Sequence, residues 1–107
     1  MDLDEILQGE SKNVEYKESL PEKSIKYLKS VVAFANTNGG RLIIGGEDQT
    51  HKIVGVSDEI IYQTMDRIAN AISDACTPAI IPDIIIQTID GKNIIKDKIK
   101  WSQHKAT

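Results

Sequence analysis

Aromatic side chains are scarce in this sequence, at one Trp, one Phe and three Tyr in 107 residues. Any core must therefore be aliphatic, and runs such as Leu42-Ile43-Ile44 and Ile84-Ile85-Ile86 supply it. Cys76 is the only cysteine, so no disulfide can form within the chain and a Cys-x-x-Cys zinc site is excluded. No apolar run approaches the ~20 residues of a membrane span. Met1-Asp2-Leu3-Asp4-Glu5 is acidic where a secretory signal would be basic and then apolar, so the expected location is the cytoplasm. Excess positive charge is missing too. The net charge of −3 argues against nonspecific duplex binding by the molecule as a whole and leaves only a local basic surface for a polyanion.

What is present suits one soluble globular domain over 1–107, with charged residues at 27% and apolar ones at 40%. Leu3, Ile6 and Leu7 fit a short N-terminal helix. Val14-Glu15-Tyr16-Lys17 alternates like a half-buried strand. Ser19 and Glu22 have the spacing of a capping box around Pro21, which predicts a helix from there to about Thr37. Its apolar stripe is Ile25, Leu28, Val32 and Ala35, widened by Tyr27, Val31 and Phe34. Asn38-Gly39-Gly40 ends it. Arg41 to Gly46 reads as a buried strand, and Lys52 to Val56 returns as its hairpin partner.

Ser57 or Asp58 caps a second helix, with Ile61, Met65, Ile68, Ile72 and Ala75 on one side and Pro78 as its stop. Pro82 to Ile89 is a strand, Asp90-Gly91 a tight turn, and Lys92 to Ile95 the start of the strand back. The pattern then weakens, so the core is expected over about 8–95 and an irregular tail over 96–107. The order is β-α-β-β-α-β-β, an α+β fold with a mixed sheet of about five strands and two main helices packed on it.

Four segments carry a family resemblance: Glu10-Ser11-Lys12-Asn13-Val14-Glu15-Tyr16-Lys17, Ala33-Phe34-Ala35-Asn36-Thr37-Asn38-Gly39-Gly40, Leu42-Ile43-Ile44-Gly45-Gly46-Glu47-Asp48 and Ile53-Val54-Gly55. In this order, over roughly 8–90, the chain resembles the Schlafen Alba-like domain. The resemblance implies an N-terminal module of bacterial proteins described as transcriptional regulators. In animal Schlafens a related domain belongs to a nuclease core that cuts structured RNA. Bacterial members often continue into a larger region, one type being a divergent ATPase domain. That region has no counterpart in these 107 residues, which fits a fragment or a short stand-alone member.

In nuclease-active Schlafens, three carboxylates matching Glu10, Glu15 and Asp48 hold a divalent metal, for which hard oxygen ligands suit Mg²⁺ or Mn²⁺. Lys17, two residues after Glu15, lies on the same strand face and would neutralise the scissile phosphate. The plainer reading makes Glu15 and Lys17 a surface charge pair and Asp48 a turn residue. Lys12, Lys17, Lys23, Lys26, Lys29 and Arg41 are the candidates for phosphate contact, against the alternative of a solvated helix face. Gly39-Gly40 and Gly45-Gly46 match neither a P-loop nor a dinucleotide fingerprint, so ATP is not an expected ligand; a helix cap and a close backbone approach explain them better. Cys76, His51 and His104 lack metal-ligand company. Trp101 is a packing residue before it is a stacking one.

Three functions remain. The first is a DNA- or RNA-binding regulatory module that works through bases around the first helix and needs no cofactor. The second is a metal-dependent endoribonuclease. The third is a dimerisation domain whose open sheet edge pairs with a copy of itself. A homodimer fits all three, and a membrane partner fits none.

Overall fold

The computed structural model describes residues 13–37, 39–75 and 83–100. Its elements are β1 (Val14–Lys17), α1 (Ile25–Asn36), β2 (Gly40–Ile44), α2 (Ile61–Ala75), β3 (Asp83–Ile89) and β4 (Lys92–Ile99). The strands form one mixed sheet in the order β1-β2-β4-β3, with β1 parallel to β2 and the other two pairs antiparallel. β1, α1 and β2 are thus a parallel crossover unit, onto which the β3–β4 hairpin adds through β4.

Side chains alternate across the strands, and register decides which share a face. Leu42 and Ile44 of β2 share theirs with Ile95 and Ile99 of β4. Onto this surface pack Tyr27, Leu28, Val31 and Ala35 of α1 and Ile61, Ile68 and Ile72 of α2. The main core is therefore aliphatic with one buried tyrosine. A smaller cluster lies on the opposite face, where Tyr16, Ile43, Ile89 and Ile94 pack with Ile53. Ile53 comes from the segment after β2, which folds over that face and stacks His51 on Tyr16, ring centroids 4.0 Å apart.

Local signals hold at several points. Gly39 takes φ +82° and returns its N–H to Phe34 O at 2.7 Å, closing α1. Asp90 and Gly91 both have positive φ, as a type I′ hairpin turn requires. Gly40 is the close approach: a Cβ there would lie 2.5 Å from Phe34 Cγ and 2.8 Å from Asn13 O.

Four expectations are corrected. The sheet has four strands and the element order is β-α-β-α-β-β, because 52–56 makes only an isolated bridge, Gly46 to Ile53. Gly45, at φ +105°, ends β2, and its carbonyl accepts from both Val54 and Gly55, while Val56 N–H goes across to Asn93 O. The segment crosses the sheet end instead of laddering along β2. Helix α1 starts at Ile25, later than the Ser19–Glu22 box: the carbonyls of Pro21 and Glu22 accept from Arg67 of α2, and Lys26 N–H bonds Lys23 O. Ile25 is 56% exposed, and Tyr27 does the packing expected of it. The strand thought to fade after Ile95 runs on to Ile99, which is fully buried. The helix expected over 2–9, Cys76, Pro78, Trp101 and His104 lie outside the described residues.

Candidate nucleic-acid interface

Of the residues singled out in the sequence, Glu10 and Lys12 lie outside the described residues. Glu15 sits in the middle of β1, in register with Leu42, so its side chain belongs to the helix-covered face, and Lys17, in register with Ile44, shares that face. Glu15 Oε2 is buried without a hydrogen-bond partner among the described residues. Asp48 is exposed in the turn that follows β2. Among the described residues no group of three or more His, Cys, Asp or Glu side chains is arranged to hold a metal.

The three lysines around the first helix are all exposed. Lys23 precedes α1 in a non-helical turn, whereas Lys26 and Lys29 belong to its first turns. Glu18 and Glu22, also exposed, punctuate the same stretch.

A tighter group of cations lies on the sheet face away from the helices. Register sets Arg41 beside Lys98 and Lys98 beside Asp83, in one row across β2, β4 and β3. The next row on this face holds Ile43, Lys96 and Ile85. Arg41, Lys96, Lys98, Asp83 and Ile85 together line a shallow depression of about 220 Å³. The segment over Tyr16 and Ile53 covers the other end of the face. Neighbouring strands are ~4.8 Å apart and alternate residues ~6.8 Å apart, so the cations fall within one phosphate-sized neighbourhood. Arg41 was named from the sequence. Lys96 and Lys98 were missed because 96–107 read as a tail, although their two-residue spacing is the signal of one strand face.

Behind this patch, on the covered face of β4, is Asp97. It stands in register with Leu42 and Ile84, is 0% exposed, and neither carboxylate oxygen has a hydrogen-bond partner among the described residues. Burial, with a smaller contribution from the negative charge of Asp83, pushes its pKa up to about 7. Nearby Tyr27 is also raised, by burial first, with Arg67 opposing and Asp97 adding to the shift. Asp97 follows from no sequence signal for function, since an Asp in an alternating charged stretch looks solvated.

A four-stranded mixed sheet with two helices on one face and a partly open, basic second face defines a small α+β module of the Alba-like kind. The chain belongs to the Schlafen AlbA_2 family, whose model matches residues 10–107. Solved structures agree on the fold. The N-terminal domain of a RecG-related protein from Nitrosomonas europaea superposes with a TM-score of 0.68 at 20% identity, over 91% of this chain and 69% of that one. The DIP2311 protein from Corynebacterium diphtheriae gives 0.65 at 22% identity, over 91% of this chain, which spans only 20% of that protein's length. Among the described residues no helix is long and apolar enough to cross a membrane.

Proposed function

We propose that this chain is a nucleic-acid-binding module of a regulatory protein, holding a polyanion by charge without cutting it. The observation that carries this reading is charge segregation. In a chain of net charge −3, exposed lysines gather beside α1 and a second basic group lines the open sheet face. Such separation orients an acidic protein on a polyanion despite its net charge. Family membership supports the reading.

The test is fluorescence anisotropy with labelled duplex DNA and an RNA hairpin, at two salt concentrations with Mn²⁺ present, followed by a denaturing gel. Salt-sensitive binding with intact strands is the expected result. The second reading, a metal-dependent endoribonuclease, is favoured by one observation: the buried Oε2 of Glu15, without a partner among the described residues, on the same strand face as Lys17. Cleavage that disappears in Glu15→Gln would establish it in place of the first. Absence of binding to either probe would refute both.

A further inference from the structure

We infer that the open sheet face, through Arg41, Lys96 and Lys98, is a docking site for the phosphate backbone of duplex DNA. The inference rests on the binding function proposed above and assigns it a surface that the sequence did not suggest. Three cations stand on two adjacent central strands, where register fixes their spacing. The lysines beside α1 are divided between a turn and a helix and preceded by Glu18 and Glu22. Ile85, 44% exposed, floors the depression and gives the lysine stems an apolar surface to lie on.

The composition of the site selects its partner. Single strands are gripped by stacking bases on aromatic rings, and among the described residues this face offers no free ring. Tyr16 is buried and already stacked on His51, while the exposed Tyr62 is on α2, away from the sheet's open side. Double-stranded RNA is recognised largely through its 2′-hydroxyls as well as its phosphates. That calls for side chains that reach into the minor groove, whereas the described lining of Arg41, Asp83, Ile85, Lys96 and Lys98 is a shallow charged depression on a sheet face. Charge alone, spread over a flat surface, fits the outside of a DNA duplex, bound without regard to sequence. Asp83 is the acid that such a ligand would meet, and it opposes binding.

The experiment measures affinity for a 20-base-pair DNA duplex, the matching single strand and an RNA duplex of equal length, between 50 and 200 mM salt. Three contacts to duplex phosphates give a log–log salt slope of about −2.7, or roughly fortyfold weaker binding across that range. The triple variant Arg41→Gln/Lys96→Gln/Lys98→Gln should lose most of that slope and at least ~tenfold in affinity at low salt, a larger loss than Lys26→Gln/Lys29→Gln causes. Asp83→Asn should bind about two- to threefold more tightly, a gain that misfolding cannot produce and that decides the matter if the triple variant does not fold. Preference for the single strand or for RNA, or loss of binding only in the α1 lysine variant, would overturn this assignment and leave the function standing. No binding by the wild type to any of the three probes would remove the function itself.

Discussion

Asp97 is the residue whose environment has the largest consequences. Its charge acts on Tyr27 of α1, which Arg67 of α2 also influences, while Asp83 of β3 adds repulsion and Leu42 and Ile84 flank it in the sheet. The folded-state pKa of about 7 stands above the ordinary 3.8. Between these values the unfolded chain releases its proton and the folded one keeps it. The folded state thus binds more protons, and stability falls as pH rises through this window. A shift of this size corresponds to a loss on the order of 4 kcal/mol once Asp97 is fully ionised. Urea denaturation from pH 5 to pH 8 should show the decline, and Asp97→Asn should flatten it. A wild type whose midpoint is constant or rises over this range would contradict the argument. Gly40 makes a second prediction at the same scale. Its missing Cβ makes room for the Phe34 ring and for the Asn13 carbonyl, to which Arg41 N–H is also bonded. The ring can shift, but the backbone carbonyl cannot do so without losing that bond. Gly40→Ala should cost ~1–3 kcal/mol, read as a melting temperature several degrees lower.

Among the elements, β4 is the one the sequence concealed, and Asp97 is the reason. Strand recognition relies on apolar residues at alternate positions, and in Lys96-Asp97-Lys98-Ile99 an acid occupies a core position between two lysines of the open face. The segment 52–56 misled in the other direction. Its apolar alternation is genuine, since Ile53 is buried, but the positive φ values of Gly45 and Gly55 send the chain across the sheet and prevent a ladder. The two helices, the Gly39 cap and the Asp90-Gly91 turn were legible because each is encoded within a few neighbouring residues. The open-face cluster was not, since it depends on the register between β2 and β4, which are far apart in the chain with α2 and β3 between them. The extent of β4 can be checked directly. Ile99 is 1% exposed and paired with Gly40, so Ile99→Ala should destabilise the fold by ~2–4 kcal/mol in urea denaturation. A residue in an irregular tail would change nothing.

At the scale of the whole molecule, core and surface are coupled through β4, which carries Lys96 and Lys98 on one face and Asp97 on the other. Asp97 changes charge within the neutral range, and its carboxylate is one sheet thickness from the site where phosphates would dock. When it is protonated, a negative charge held in a medium of low polarity disappears from behind the patch, and the attraction for a polyanion strengthens. Duplex affinity at fixed, low ionic strength should therefore rise as pH falls from 8 to 6, by roughly three- to tenfold, with less effect at high salt. The coupling runs both ways: bound DNA favours the protonated carboxyl and should recover part of the stability that ionisation removes. Asp97→Asn should bind with high affinity that no longer varies with pH over this range. A variant that keeps the wild-type pH profile would leave Asp97 with a role in stability alone.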